Sequence, residues 1–198
     1  MGMKPRQGRQ PESPARAADV TAADPALWAP LTEGERADAL RLVAEDGRAA
    51  GMVKVGRYRV AAVEPLALKP PHPRAGRRCA RVVAYDYAAA ARVDAGVDLD
   101  AGDVFHFATA AGQPPLAAAE EAAAIAVAAA DPDVQAQLGL DDRPRAALQY
   151  WSRHPADRAY RARAAAVVFG PAGGAPSVVA VVDLADRQVT EVVPAERW

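Results

Sequence analysis

Apolar β-branched residues dominate residues 177–182, a polar corner follows at 183–188, and residues 189–193 alternate between apolar and polar. A continuous apolar run bounded by turn residues is typical of a strand buried in a sheet, and alternation is typical of a half-buried strand. This stretch therefore predicts a closing hairpin. The triplet Val182-Asp183-Leu184 has a counterpart 85 positions earlier, Val97-Asp98-Leu99, which suggests an internal repeat.

Residues 31–45 have the pattern of a helix. Thr32 is placed to cap its first turn, and Glu35, three positions on, completes a capping box. Gly47 is a suitable terminator. The apolar positions that recur at helical spacing, and that we expect to face the core, are Ala37, Leu40, Val43 and Ala44.

Extended segments follow this helix, separated by turn residues and by a Pro-rich loop at 69–76. The four segments are residues 56–66, 78–87, 90–98 and 103–107. One helix followed by four strands predicts an antiparallel meander laid over the helix.

The second half repeats this order. Residues 116–130 predict an Ala-rich helix, and Asp131 with Pro132 predicts the capped start of a shorter helix that runs to about Leu138. Four further strands are predicted at residues 146–151, 160–169, 177–184 and 189–193.

An offset of 85 residues aligns the two halves. It places Glu35 on Glu120 and Arg78 on Arg163, and it aligns helix, inner strand and hairpin in order. We therefore predict an α+β fold of two tandem units, each one helix packed on a four-stranded antiparallel sheet. The units span about 25–112 and 113–198, and residues 1–24, rich in Pro, Arg and Gln, predict a flexible tail.

Charge and cysteine content exclude several classes of protein. The chain has 24 basic and 25 acidic residues, so it lacks the electrostatic footprint of a nucleic-acid-binding protein. Cys79 is the single cysteine, which rules out an intrachain disulfide and argues against a cysteine-based zinc site. No secretory signal and no apolar run long enough to span a membrane is present. We expect a cytoplasmic protein with no membrane or nucleic-acid partner.

Candidate metal sites are weak. His72, His106 and His154 lack the spacing that brings ligands together, so we interpret them as three unrelated polar residues. The aspartates near the first hairpin corner, Asp98, Asp100 and Asp103, fit a turn better than a calcium loop.

Candidate nucleophiles are equally weak. Cys79 follows Arg77 and Arg78, which would lower its pKa, but its repeat equivalent is Ala164 and a structural role is the better interpretation. Ser152 lacks the Gly-x-Ser-x-Gly elbow of a hydrolase.

Tyr150 and Trp151 interrupt an Ala-rich unit just before a polar turn. Packing of one ring in the core with partial exposure of the other is one interpretation. A surface that faces a partner or a ligand is the other, because aromatic side chains near loops are common interface anchors.

The order of these motifs resembles the N2 and N3 domains of copper amine oxidases, over about residues 25–195. The motifs that carry the resemblance are Pro30-Leu31-Thr32-Glu33, Tyr85-Asp86, Gln113-Pro114-Pro115, Trp151-Ser152 and Val181-Val182-Asp183-Leu184. The resemblance implies two cystatin-like domains, N2-like at 25–112 and N3-like at 113–198.

In that family the chemistry lies in a C-terminal β-sandwich domain, where a Tyr in an Asn-Tyr motif becomes topaquinone and three His bind copper. This chain contains no Asn and no His-x-His, and it ends at Trp198, where the catalytic domain would begin. The resemblance thus implies a stand-alone small subunit of the kind found in two-chain tyramine oxidases, with no catalytic, cofactor or metal residue of its own. A separate catalytic chain would hold copper and topaquinone, giving a hetero-oligomeric primary-amine oxidase.

By the same resemblance, Trp151 and Tyr150 are expected to line a substrate channel or meet the partner, and Trp198 to dock at the junction with it. Two alternatives remain open from the residues. One is a stand-alone cystatin-like binding or scaffold module, since fold does not fix function. The other, an enzyme in its own right, is disfavoured because no nucleophile–base pair or metal set is evident.

Overall fold

The computed structural model describes residues 24–55, 58–152 and 154–198. The first half contains α1 (Glu33–Glu45), α2 (Ala50–Val55), β1 (Tyr58–Pro65), β2 (Cys79–Asp86), β3 (Ala91–Asp98) and β4 (Asp103–Ala111). The second half contains α3 (Ala118–Ala130), α4 (Pro132–Gln135), β5 (Arg143–Tyr150), β6 (Ala164–Gly170), β7 (Val178–Asp183) and β8 (Gln188–Pro194). Short 3₁₀ helices occupy Pro25–Trp28 and Ala195–Arg197. The predicted tail, residues 1–24, lies outside the described residues except for Asp24.

The strands form two antiparallel meanders, β1-β2-β3-β4 and β5-β6-β7-β8. One face of each sheet packs on a helix, α1 for the first and α3 for the second. Each unit thus has its own core, one around Val43, Val82 and Val97 and the other around Val167 and Phe169. The predicted α+β fold of two tandem units is confirmed.

The 85-residue offset holds at the level of single hydrogen bonds. Helices α1 and α3 have the same length, 13 residues, and each carries a glutamate three positions after its N-cap that returns to the N-cap backbone. Leu99 N–H donates to Arg78 O, and at the matching positions Leu184 N–H donates to Arg163 O, both over 2.9–3.0 Å. The two units therefore share caps and turns as well as topology.

Three details of the sequence interpretation need correction. Ala39 and Val43 are the buried residues of α1, whereas Ala37, Leu40 and Ala44 are exposed. The prediction of Val43 is thus confirmed, and the expectation that Ala37, Leu40 and Ala44 face the core is wrong. β6 begins at Ala164 rather than at residue 160, because Arg161 takes a left-handed conformation (φ 62°) that ends the extended chain. α4 also ends early, at Gln135 rather than Leu138.

The two units meet end to end. Tyr85 and Tyr87, at the end of β2, pack on the second unit where Arg163 pairs with Glu120. The Arg163 guanidinium lies 4.9 Å from the Tyr85 ring centre, and the Tyr87 hydroxyl donates to Glu120 Oε1. The junction is thus held by polar contacts specific to these side chains.

Within the described residues, none of the helices combines the length and apolar character needed to cross a membrane.

Candidate functional site

Tyr150 ends β5 on the sheet face that points away from α3, because it lies opposite Ala164 in the neighbouring strand and packs with Ala159, Ala164 and Val181. Its hydroxyl donates to Asp157 Oδ2 over 2.8 Å. That hydrogen bond, together with burial, raises the pKa of Tyr150 to about 12. The phenol is therefore neutral and fixed in orientation, which suits a structural anchor rather than an acid–base role.

The structure brings two of the three predicted site residues together. The rings of Tyr150 and Trp198 are 5.2 Å apart at an angle of 45°, so the C-terminal turn lies over the end of β5. Trp198 remains 53% exposed and Trp151, the next residue after Tyr150, is 61% exposed. Aromatic rings held by packing yet open to solvent are well suited to anchor a partner.

Leu148 extends this surface and was missed by sequence reasoning. It lies two residues before Tyr150 on the same strand, opposite Ala166, and is 55% exposed. Residues two apart in a strand share a face. The spacing of Leu148 and Tyr150 therefore predicts that Leu148 joins this surface, once β5 is known to be an edge strand. We call Leu148, Tyr150, Trp151 and Trp198 the aromatic surface.

The matching face of the first sheet is charged. Arg81 bridges Asp94 and Glu64 there, with a 3.0 Å contact to Glu64 Oε1 and two hydrogen bonds to Asp94. The positions equivalent to Arg81 and Asp94 are Ala166 and Val179. Since the two units share the same sheet topology, the outer faces of the two sheets differ because of their side chains.

The aspartates at the first hairpin corner are bound by arginines and turn amides. Asp98 is fully buried and pairs with Arg74 at 2.6 Å and Arg77 at 2.9 Å. Asp103 pairs with Arg74 at 2.7 Å, and Asp100 accepts from Arg78 N–H. These contacts agree with the turn interpretation, because carboxylate oxygens that a calcium ion would use are already paired with arginine side chains or backbone amides.

The remaining candidates for chemistry have structural roles. Cys79 is buried in β2, and burial, followed by the charge of Asp98, raises the pKa of its thiol to about 11. His72 Nδ1 accepts from Arg74 N–H, and His154 Nδ1 accepts from Ala156 N–H. The Ser152 hydroxyl accepts from His154 N–H. The structural interpretation of Cys79 therefore fits its surroundings.

Among residues 24–55, 58–152 and 154–198, no three His, Cys, Asp or Glu side chains form a group suited to a metal ion. Copper and topaquinone, expected in a separate chain, stay a prediction.

No protein-family model matches the chain, and no curated protein matches it. Among solved structures, the chain is similar to a copper-containing benzylamine oxidase from Hansenula polymorpha, with a TM-score of 0.50 and 14% sequence identity. The match covers 84% of this chain and 30% of the oxidase chain, so this chain spans less than a third of the oxidase's length. At this identity the likeness shows a shared fold.

Proposed function

We propose that this chain is a non-catalytic accessory subunit of a two-chain copper/topaquinone primary-amine oxidase. In this proposal the chain corresponds to the N2 and N3 domains, at 25–112 and 113–198, and completes the fold and substrate channel of a separate catalytic chain. The catalytic chain converts a primary amine, dioxygen and water to an aldehyde, ammonia and hydrogen peroxide. The chain would then be the small subunit of an enzyme of the tyramine oxidase type.

The fold supports this proposal. A match over 84% of the chain to part of a copper-containing amine oxidase agrees with the motifs Gln113-Pro114-Pro115 and Trp151-Ser152, which suggested the same family. A structural likeness at 14% identity does not carry function by itself, so the proposal depends on the two lines of observation together.

The aromatic surface is the observation that supports a partner chain. Leu148, Trp151 and Trp198 each leave more than half of their surface exposed at one end of the second sheet. Exposed apolar side chains that cluster mark protein interaction sites, and Trp and Tyr are the commonest anchors of such interfaces. We place the contact with the catalytic chain here, with Tyr150 and Trp198 held against each other by their 5.2 Å ring contact.

The test is co-expression of the full 198-residue chain with the copper amine oxidase catalytic chain of the same organism. We expect the two chains to co-purify, and the complex to release hydrogen peroxide from tyramine or benzylamine faster than the catalytic chain alone. Two chains that elute separately, with peroxide release unchanged when they are mixed, would contradict the proposal.

A stand-alone cystatin-like binding or scaffold module is the second candidate. The observation that favours it is a cavity between the two units, lined by two arginines and apolar side chains. Binding of a small molecule by the isolated chain, with no effect on any amine oxidase, would support this candidate over the first.

A further inference from the structure

An open cavity of about 330 Å³ lies at the junction between the two units, and the two arginines that line it, Arg59 and Arg187, are exposed to solvent. The first unit contributes Arg59 and Tyr87, and the second contributes one face of α3 and the end of the β7–β8 hairpin. This volume is at the lower end of the range of about 300–1,000 Å³ found for small-molecule sites. The cavity exists only because one unit is stacked on the other.

The walls are mostly apolar. Ala119, Ala123 and Val127 lie four residues apart along α3 and share one face of the helix, and Val182 and Leu184 close the opposite side. The one acidic residue of the lining, Glu120, is already paired with the buried Arg163 at 2.7 Å and accepts from Tyr87. The charge of Glu120 is therefore neutralised by Arg163 and does not set the charge of the cavity.

Two arginines give the cavity its net positive charge. Neither Arg59 nor Arg187 forms an ion pair with any of the described residues. The guanidinium of Arg59 makes only a long contact, 3.4 Å, to the carbonyl of Tyr58. Guanidinium groups bind carboxylates in a planar, two-pronged geometry, so two unpaired arginines at an apolar cavity are complementary to an organic anion.

Arg187 is also held in a strained backbone conformation. Its φ is +56°, in the left-handed region that glycine adopts without cost. The hairpin of the first unit has the same four-residue turn, and its matching residue is Gly102 with φ +69°. The second unit thus keeps an arginine where the first unit uses the unstrained residue, and strain of this kind is concentrated at functional sites.

We propose that this cavity binds a small monocarboxylate with an apolar body, its carboxylate between Arg59 and Arg187 and its body against α3. This site does not depend on the amine oxidase proposal, because it uses no partner chain and lies at the junction between the units.

The test is isothermal titration calorimetry of the full chain at low ionic strength, with phenylacetate as the probe and the neutral phenylacetamide as its isostere. We expect phenylacetate to bind with a Kd of about 1 mM or tighter, and phenylacetamide to bind at least tenfold more weakly. Arg59→Gln and Arg187→Gln should each weaken phenylacetate at least about tenfold. Arg197→Gln, an arginine of the C-terminal turn, is the matched control and should leave binding unchanged.

Arg187→Gly separates binding from folding. It restores the residue that the first hairpin uses, so we expect the melting temperature to rise while phenylacetate binding falls at least about tenfold. Equal affinity for acid and amide, unchanged binding in both arginine variants, or no saturable heat up to about 10 mM phenylacetate would each overturn the proposal. Loss of binding in the Arg197 control would do the same.

Discussion

Arg163 binds Glu120 in the second unit through the same two-pronged contact that Arg78 makes with Glu35 in the first, 85 residues earlier. The distances from Nε to Oε1 are 3.0 and 2.7 Å, and those from Nη2 to Oε2 are 2.7 and 3.1 Å. Both arginines also bind the backbone carbonyls that precede the helix. The pairs differ in burial, since Arg163 and Glu120 have side chains 1% and 3% exposed, against 18% and 26% for Arg78 and Glu35.

This difference predicts unequal costs for the same substitution. Arg163→Met leaves the Glu120 carboxylate buried without its cation, and we expect a loss of about 3–5 kcal/mol in unfolding free energy. Arg78→Met is the matched variant. Glu35 stays accessible to water there, so the loss should be about 1–2 kcal/mol. Urea unfolding followed by circular dichroism measures both, and equal losses would contradict the account of burial.

Glu35 predicts a specific acid sensitivity. The hydrogen bond from Arg78, followed by that from Thr32 N–H, lowers the pKa of Glu35 from 4.5 to about 2. A carboxyl whose pKa is lower in the folded state stabilises the fold above its unfolded pKa, and this contribution is lost as the pH falls toward the folded pKa.

The stability advantage of the wild-type chain over Glu35→Gln should therefore be constant above pH 4.5 and shrink between pH 4.5 and 2, by about 2 kcal/mol after allowance for partial exposure. Unfolding free energies measured across this window provide the test. The control is Glu33→Gln, which removes the same charge two residues earlier on α1. A Glu33 profile that falls as steeply as the Glu35 profile would show that general charge, and not this pair, governs the acid response.

Tyr87 couples the two units. Its hydroxyl donates to Glu120, and burial together with this hydrogen bond raises the pKa of the phenol. Tyr87→Phe should cost about 1.5–3 kcal/mol, the range for a hydrogen bond to a charged group. A double-mutant cycle with Glu120→Ala should show non-additive losses, since both changes remove the same bond. Additive losses in thermal unfolding would mean that the contact does not hold the junction.

The aromatic surface predicts which substitutions break the proposed complex. Leu148→Ser should weaken association with the catalytic chain by about tenfold or more, while the isolated chain keeps its melting temperature. Trp198→Ala should weaken association to a similar extent and also lower the melting temperature slightly, because the ring contact with Tyr150 is lost. Leu140 is 96% exposed on the turn before β5 and lies off this face, so Leu140→Ser is the matched control. Surface plasmon resonance against the immobilised catalytic chain measures the affinity. If Leu140→Ser weakens binding as much as Leu148→Ser, the interface lies elsewhere.

Sequence reasoning succeeded where the signal is local or repeated. The capping box of Thr32 and Glu35 and the 85-residue offset are visible in the sequence and hold in the structure. It failed where the decisive contact is long-range. The exposure of Leu148 depends on β5 being an edge strand, and the approach of Tyr87 to Glu120 depends on how one unit is stacked on the other. Neither is encoded in a window of neighbouring residues.

The final prediction concerns Gly96 and Phe105, which lie close together in the first hairpin. A Cβ placed on Gly96 would lie 2.7 Å from Phe105 Cζ, too close for a methyl group. Phe105 is the extra residue of a β-bulge opposite Gly96, and Thr190 is the extra residue opposite Val181 in the second hairpin. Compared with the first unit, the second unit has a larger residue on the inner strand, Val181 in place of Gly96, and a smaller one at the bulge, Thr190 in place of Phe105.

Gly96→Ala should therefore destabilise the chain by about 1–3 kcal/mol. This is opposite in sign to the usual effect of replacing a glycine outside the left-handed region, because the added methyl group would overlap the ring of Phe105. Phe105→Thr loses the contacts of Phe105 with His72 and Arg74, so it should be destabilising alone. In the double variant Gly96→Ala/Phe105→Thr, however, the cost of adding the methyl group should fall by about 1–2 kcal/mol, since the overlap is gone. If Gly96→Ala lowers the unfolding free energy by the same amount with and without Phe105→Thr, overlap with Phe105 is not the cause of the loss.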